Sequence, residues 1–315
     1  MLGQDIEVKN ASVTSAARRL LNGDFRQEPY WWTAAPPEEF SDGFPDSTDV
    51  LIVGSGVTGT SAAYHLAKLG HQADVLDANL IGSGAARRNA GFLSRTLKKT
   101  FTTLARSHGE GFADAAFKEV NHAFDFVTSL IRELEIDCAL EPSGRLVMAT
   151  SPAHLTMMID TFNDLHRQYG TPYEVVSEAD IHREVGTTHY HGAVLIPGLA
   201  KFHPGLFHSG FVNRARSAGA RFHARTKLER LKQTGNGFVA HTTRGTIRAR
   251  RVLIATNGYS HEDLPPWMRA RMAHRSEPTR RWWACCAMRA RAPCAARGCA
   301  GRGRRRWRRS ARGRW

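Results

Sequence analysis

Residues 49–91 read DVLIVGSGVTGTSAAYHLAKLGHQADVLDANLIGSGAARRNAG and contain the pattern from which the architecture of this chain can be predicted. The apolar run 50–53 is typical of a buried parallel strand, and it leads directly into a Gly-x-Gly-x-x-Gly motif. A helix is expected over 60–69, with Ala62, Ala63, Leu66 and Leu69 on its apolar face, followed by a second strand over 73–76. This order is typical of a βαβ unit that binds a dinucleotide.

Each glycine of the motif has a physical role in such a unit. Gly54 permits the tight turn after the strand, Gly56 lets backbone N–H groups approach a pyrophosphate, and Gly59 lets the helix pack closely against the strand. The N-terminus of the helix presents a partial positive charge to the phosphates. The residues expected around the pyrophosphate are Gly54, Ser55, Gly56, Val57, Thr58 and Gly59.

An acidic residue ends the second strand of this unit. Asp77 stands 18 residues after Gly59, where its carboxylate would accept hydrogen bonds from the ribose hydroxyls of an adenosine, and Ala78 follows it in the same site. A plain Gly-rich turn is the alternative. Because the glycines, both strands, the helix and the terminal acid occur in register, the nucleotide site is favoured.

Four further segments carry a resemblance to a known family. Residues 84–91, GAARRNAG, match Gly-Ala-Ser-Gly-Arg-Asn-Gly-Gly at five of eight positions. The other segments are Tyr30-Trp31-Trp32, Phe202-His203-Pro204 and Ala255-Thr256-Asn257-Gly258-Tyr259. With these motifs, residues 30–273 resemble the D-amino-acid-oxidase-like FAD oxidoreductases, nearest the gamma-glutamylputrescine oxidase branch.

The resemblance implies FAD as the cofactor, which the dinucleotide motif alone does not distinguish from NAD. It also implies further cofactor-binding positions, which are Gly84, Ala85, Arg88, Asn89, Leu228, Ala255, Thr256 and Gly258. Ala86 and Arg87 stand where the family has Ser and Gly. The long cation of Arg87 is expected either to help neutralise the pyrophosphate or, as the favoured alternative, to obstruct it by its bulk.

The resemblance and the order of elements predict an α/β fold. We expect a doubly wound FAD-binding domain, made of the βαβ unit and a later β-meander, with an inserted mixed α+β substrate domain that is incomplete at the C-terminus. The expected boundaries are an arm over 1–47, FAD-binding segments over 48–139 and 201–262, a substrate-domain segment over 140–200, a start of a return to that domain over 263–273, and an Arg-rich tail over 274–315.

Periodicity predicts the remaining elements. A helix is expected over 112–136, and its apolar face is expected to contain Phe112, Ala116, Val120, Phe124, Val127, Ile131 and Leu134. Helices are also expected over 152–169 and 204–218, and strands over 144–149, 192–197, 221–231, 238–243 and 246–255. Five histidines lack metal-ligand spacing and are interpreted as ordinary surface or core residues, so no metal is expected; they are His182, His189, His191, His203 and His208.

The aromatic run Tyr30-Trp31-Trp32 in the arm has two interpretations. In a nucleic-acid-binding protein, such side chains would stack on bases. Packing of the arm onto the domain surface is the favoured interpretation.

The formal net charge of +15 is concentrated in the tail. Residues 274–315 contain 14 Arg, no Lys and a single acidic residue, Glu277, and they lack Leu, Ile, Val and Phe. Because such a segment has little aliphatic surface to bury, we expect it to be disordered. Its main residue types, Arg, Ala, Gly, Trp, Cys and Pro, are largely those of GC-rich codons, so we infer that it results from a reading-frame shift in a GC-rich gene. The alternative is a genuine Arg-rich tail that binds RNA or DNA.

The resemblance implies oxidation of a C–N bond in an amine or amino acid, with O2 as the electron acceptor and hydrogen peroxide as a product. The family's substrate-clamping residues are expected beyond residue 273, so no catalytic residue can be named. The sequence has no apolar run of membrane-spanning length and no signal-peptide core, so a cytoplasmic location without a membrane partner is expected. Three hypotheses stay open: a working FAD oxidase, an inactive truncated relative, and a basic nucleic-acid-binding protein.

Overall fold

The computed structural model describes residues 28–259 and the two-residue strand Cys286–Ala287. Its α-helices are α1 (Val57–Lys68), α2 (Phe101–His108), α3 (Glu110–Glu133), α4 (Pro152–Tyr169), α5 (Ile181–Glu184) and α6 (Pro204–Ser217). Its strands are β1 (Ser47–Val53), β2 (Ala73–Leu76), β3 (Phe92–Leu93), β4 (Glu141–Pro142), β5 (Arg145–Met148), β6 (Glu174–Val176), β7 (Ala193–Ile196), β8 (Ala200–Lys201), β9 (Arg221–His223), β10 (Leu228–Thr234), β11 (Gly237–Thr242), β12 (Gly245–Ile254) and β13 (Cys286–Ala287). Short 3-10 helices cover Tyr30–Thr33 and Ala85–Arg87.

The main sheet is mixed and has the order β10-β11-β12-β1-β2-β9, with β13 pairing to the end of β12. The contacts of β1 with β12 and β2, and of β2 with β9, are parallel, whereas β10, β11 and β12 form an antiparallel meander. The predicted α/β class, the βαβ unit and the meander are confirmed. The structure shows that the carboxyl ends of four strands, β1, β2, β9 and β12, meet at one edge of this sheet.

The two faces of the main sheet belong to different apolar clusters because the side chains of β1 alternate between them. Val50 and Ile52 join a cluster with residues of α1, α3 and α6, including Ala63 and Phe211. Leu51 and Val53 point the other way and pack with the meander. Helices α1, α3 and α6 therefore cover one face of the sheet, while the side chains on the other face of β1 pack with apolar residues of the meander strands.

A third cluster forms away from the main sheet. Strands β5, β7 and β6 make a small antiparallel sheet, against which residues of α2, α3 and α4 pack. Helix α4 is capped at its N-terminus by Ser151, whose hydroxyl accepts a hydrogen bond from the His154 N–H, and at its C-terminus by Gly170, where φ is 64°. This cluster includes the predicted segment 140–200, but α2 and the first half of α3 also pack on it; the exact domain boundaries stay predictions.

Three details of the predicted elements are wrong. The strand expected over 221–231 is two strands, β9 and β10, at opposite edges of the main sheet. The extended conformation is interrupted at Arg225, where φ is 50°. Phe112 is 53% exposed, since α3 buries Ala113 and Phe117 instead. Leu69 lies beyond the end of α1 and is 74% exposed.

The expectations for the tail 274–315 lie outside the described residues, apart from β13. In that strand, Cys286 pairs with Ile254 and Ala287 with Leu253. The expectation of a disordered tail did not include this pairing.

Candidate functional site

The glycine motif joins β1 to α1 in the geometry that the sequence predicts. At Gly54 φ is 106°, and a Cβ placed there would lie 2.6 Å from the Ala255 carbonyl oxygen. A Cβ on Gly59 would lie 1.9 Å from the Gly54 carbonyl oxygen, so a side chain at this position would force the helix from the strand. A Cβ on Gly56 would meet nothing within 4 Å. Gly56 is thus the glycine of the motif that faces open space.

The N-terminus of α1 lies at this open space and suits an anion. Gly56 is the N-cap residue, no side chain caps the helix, and the first turn, which contains Val57 and Thr58, has no acidic residue. The first amides of an α-helix lack intrahelical acceptors, and the helix dipole adds a partial positive charge. A phosphate group fits this position.

Asp77 is tied to the same loop through Ser55. One Asp77 oxygen accepts hydrogen bonds from the Ser55 N–H at 3.1 Å and the Ser55 hydroxyl at 2.5 Å, and the other accepts from the Asn79 N–H at 2.9 Å. The Ser55 hydroxyl oxygen also accepts from the Gly82 N–H at 3.1 Å. A carboxylate has about four lone-pair sites, so Asp77 retains capacity for a ribose hydroxyl while it also orders the loop.

The segment before Leu228 reaches Asp77 from the meander side. The Thr226 N–H donates to the Asp77 carbonyl at 2.7 Å, and the Arg225 N–H donates to the Asn79 carbonyl at 2.8 Å. Leu228 itself is buried as the first residue of β10. The exposed Ala78 lies between the two bonded carbonyls in sequence, so the structure brings Asp77, Ala78 and the Leu228 segment together.

The end of β12 closes the other side of the glycine loop. The Ala255 N–H donates to the Val53 carbonyl at 2.8 Å, and the Tyr259 N–H donates to the Thr256 carbonyl at 3.0 Å. A Cβ on Gly84 would lie 3.8 Å from the Tyr259 ring, so the predicted segment 255–258 and the segment that begins at Gly84 are neighbours. Gly258 is exposed in this group.

Arg88 and Asn89 organise their own loop and the arm. The Arg88 Nε–H donates to the Ser83 carbonyl at 2.8 Å, and its guanidinium lies 4.4 Å from the centre of the Trp32 ring. The Asn89 amide donates to the carbonyls of Ala85 and Ala86 at 3.2 and 2.9 Å. The Asn89 carbonyl accepts from Trp31 Nε1 at 2.8 Å. Packing of the aromatic run onto the domain, the favoured interpretation, is confirmed for Trp31 and Trp32, whereas Tyr30 is 80% exposed.

Both expectations for Arg87 are wrong, because its side chain points into the protein. Arg87 is fully buried. Its guanidinium donates to the carbonyls of Ala35 and Pro36 at 3.2 and 2.7 Å, and it forms an ion pair with Glu38 at 2.5 Å. Burial lowers the pKa of Arg87, whereas the Glu38 carboxylate opposes that shift. The Arg87 side chain therefore lies in the protein interior, where it is not placed to neutralise a phosphate at the loop surface or to obstruct one.

Sequence reasoning missed the contact of His208 with the glycine loop. His208 is fully buried on α6, and its Nε2 lies 2.7 Å from the Ser55 carbonyl oxygen. Burial, together with the charge of Arg87, lowers the pKa of His208 to about 3. The two residues are 153 positions apart, and no spacing in the sequence indicates that they meet.

A cavity of about 750 Å³ lies apart from this edge of the sheet. The second half of α3, segment 135–142 and segment 197–200 line it, and Arg95 and Asp125 pair there at 2.5 Å. None of the predicted cofactor residues lines this cavity. It adds no acid or base to the site that the glycine loop forms.

None of the helices in the described part of the chain is long and apolar enough to span a membrane. This finding concerns residues 28–259, where those helices lie.

Known proteins with similar sequences align with about three quarters of this chain. The chain is 29% identical over 230 residues to gamma-glutamylputrescine oxidoreductase of Escherichia coli, an alignment that covers 73% of this chain and 53% of the relative. It is 30% identical over 241 residues to the probable oxidoreductase OrdL of Rhizobium meliloti, covering 73% and 54%. The chain thus spans about half the length of these relatives.

Solved structures give the same fold. Glycine oxidase of Geobacillus kaustophilus superposes with a TM-score of 0.56 at 24% identity, over 68% of this chain and 56% of that one. Residues 49–282 match the DAO family, described as FAD dependent oxidoreductase, and the open Gly56, the uncapped helix and Asp77 fit the cofactor of that family, which is FAD. The chain belongs to the DAO family of FAD-dependent oxidoreductases.

Proposed function

We propose that this chain binds FAD at the carboxyl edge of its main sheet and is part of an enzyme that oxidises a C–N bond of an amine or amino acid. The observation that carries the proposal is the glycine loop, in which Gly54 and Gly59 have no room for a side chain while Gly56 faces open space. This arrangement leaves room for a pyrophosphate next to the backbone at position 56, where no neighbouring atom requires a glycine.

The residues of the edge have distinct tasks in this proposal. The Gly56 N–H and the first amides of α1 bind the pyrophosphate, and Asp77 accepts from the ribose. The backbone near Leu228 lies beside the adenine. Segments 84–89 and 255–258 line the continuation of the site on the other side of the loop.

When bound, FAD would supply an acceptor for a hydride equivalent from the carbon that bears the nitrogen, and O2 would take up the two electrons with two protons to give hydrogen peroxide. The substrate would also lose a proton from nitrogen and become an imine, which water would hydrolyse to a carbonyl compound and ammonia, or an amine where the nitrogen is substituted. The task of the protein is to orient the C–H bond and to exclude competing reactions. The groups that hold the substrate are expected in the part of the relatives that this chain does not span.

The proposed substrate class is an N-substituted or primary aliphatic amine, of which gamma-glutamylputrescine is the first to test. Support comes from the relative that carries this compound in its name and is 29% identical to the chain. Glycine is the second compound to test, since a glycine oxidase is also among the relatives, at 25% identity.

The test begins with cofactor content. The purified chain should be yellow, and FAD should be released on denaturation; peroxide formation and oxygen uptake are then measured with gamma-glutamylputrescine, putrescine, glycine and other amino acids. A chain that binds FAD but oxidises none of them supports the inactive-relative hypothesis. A chain that binds no FAD contradicts the proposal.

The positive charge of the tail supports a second function to be tested, which is binding of nucleic acid. Residues 274–315 contain 14 Arg and a single acidic residue. Retention on duplex DNA that falls steeply with salt, without FAD binding, would favour the basic nucleic-acid-binding protein.

A further inference from the structure

His208 contacts the glycine loop from the buried side. Its Nε2 lies 2.7 Å from the Ser55 carbonyl oxygen, and its Nδ1 lies 3.1 Å from Arg87 Nε. The Thr60 hydroxyl donates to the same carbonyl at 3.1 Å. The Ser55 carbonyl is therefore held from the protein interior by two side chains.

Arg87 determines which nitrogen of His208 carries the proton. A guanidinium group can only donate hydrogen bonds, so Nδ1 has to accept. In the neutral imidazole the proton then lies on Nε2, which donates to the Ser55 carbonyl. Burial and the charge of Arg87 hold the pKa of His208 at about 3, so this tautomer persists through the pH range of cells.

The orientation of one carbonyl decides the orientation of the next N–H. Ser55 and Gly56 share a planar peptide unit, and the described residues contain no cis peptide bond. In a trans peptide the C=O and N–H groups point in opposite directions. Because the Ser55 carbonyl points to the buried His208, the Gly56 N–H points the opposite way, and none of the backbone hydrogen bonds found among the described residues uses this N–H.

We propose that His208 is a positioning residue for the cofactor, which holds the 55–56 peptide so that the Gly56 N–H is directed at the FAD pyrophosphate. Arg87 acts with it by selecting the tautomer. The inference rests on the proposed FAD site. It means that a residue of α6 orients the glycine loop, although the two segments are far apart in sequence.

The arm belongs to the same network. Arg87 is anchored by the carbonyls of Ala35 and Pro36 and by the Glu38 carboxylate, which also accepts from the Ser209 hydroxyl. Segment 35–38 thus restrains the guanidinium that restrains the imidazole. The orientation of the phosphate-facing amide depends on a segment that precedes the βαβ unit.

The test compares three substitutions of His208 in the full 315-residue chain. His208→Leu removes both hydrogen bonds at similar volume. In His208→Gln the amide nitrogen can reach the Ser55 carbonyl while the amide oxygen accepts from Arg87. His208→Asn carries the same amide one bond shorter and falls short of the carbonyl.

The measurements are the FAD dissociation constant, by quenching of flavin fluorescence, and the urea midpoint of the FAD-free protein. We expect His208→Leu and His208→Asn to raise the dissociation constant tenfold or more, since the Ser55 carbonyl loses the shorter of its two side-chain hydrogen bonds and is then held by Thr60 alone. His208→Gln should stay within about threefold of the unsubstituted chain. Val212→Ala, a fully buried packing change on the same helix, should lower the urea midpoint and leave the dissociation constant within about twofold.

The outcomes separate the inference from the function on which it rests. If the unsubstituted chain binds FAD and the His208 variants follow Val212→Ala, losing stability but not affinity, His208 is a packing residue and the inference is overturned. If His208→Leu does not fold, equal affinities of the Gln and Asn variants overturn it. If the unsubstituted chain binds no FAD, the proposed function fails and the inference fails with it.

Discussion

Two glycines of one motif should respond to substitution in opposite ways. In Gly59→Ala the new Cβ would lie 1.9 Å from the Gly54 carbonyl oxygen, about 1.5 Å closer than ordinary contact, so α1 has to move away from β1. Overpacking of this kind costs roughly 1–3 kcal/mol or more of the free energy of unfolding. In Gly56→Val the side chain enters open space at an N-cap with φ of −65°, and we expect a loss below about 1 kcal/mol.

The order reverses for FAD affinity. A Val side chain at position 56 keeps the pyrophosphate from the backbone and removes about two hydrogen bonds to a charged group, each worth roughly 1.5–3 kcal/mol. A loss of about 3 kcal/mol corresponds to a dissociation constant raised more than about a hundredfold, since 1.4 kcal/mol is tenfold.

The assay is urea unfolding of the FAD-free protein together with FAD titration by fluorescence. Gly56→Val should unfold near the midpoint of the unsubstituted chain and fail to bind FAD. A Gly56→Val variant that binds FAD with unchanged affinity would place the site elsewhere. A Gly59→Ala variant of unchanged stability would refute the close approach of helix and strand.

Equilibrium dialysis should show tighter binding of FAD than of NAD, and the reverse order would contradict the assignment of the cofactor. Asp77→Ala should weaken FAD binding by about 1.5–3 kcal/mol, since one carboxylate accepts from both the ribose and Ser55. Asp77→Asn keeps one accepting oxygen and should recover part of this affinity. Equal losses of affinity in the two variants would contradict the role of that oxygen. Acid should destabilise the chain between pH 6.5 and about 3. In this range His208 binds a proton in the unfolded state but not in the folded state, where it is buried beside Arg87 and its pKa is lowered to about 3. Because of His208, the free energy of unfolding at pH 5 should be about 2 kcal/mol lower than at pH 7. Urea unfolding of His208→Gln should lack that decrease.

The parts of the fold that depend on neighbours in sequence were predictable. The strand before Gly54 and the helix after Gly59 follow from apolar runs and glycine spacing, and the ends of α4 follow from Ser151 and Gly170. The predicted cofactor residues near Asp77, Leu228 and Ala255 lie at one edge of the sheet because parallel strands bring their carboxyl ends together. Their contact with FAD stays a prediction.

The rest depends on contacts between distant segments. Helical periodicity indicates that α3 has an apolar face, but two clusters bury different sides of its two halves, so Phe112 was placed inside although it is exposed. The role expected for Arg87 was inferred from the glycine that the family has at its position. Its acceptors lie about 50 residues earlier and its His208 partner 121 residues later, and no local pattern predicts a buried guanidinium.

The parallel pairing of β1 with β12 has a consequence for synthesis on the ribosome. Ser47 pairs with Arg248, about 200 residues later. At about 5–20 residues per second, β1 leaves the ribosome roughly 10–40 s before its partner exists. Throughout that interval one hydrogen-bonding edge of an apolar strand stays available to other nascent chains. The yield of native protein in a cell should therefore depend on chaperones that cover this edge until translation passes residue 254.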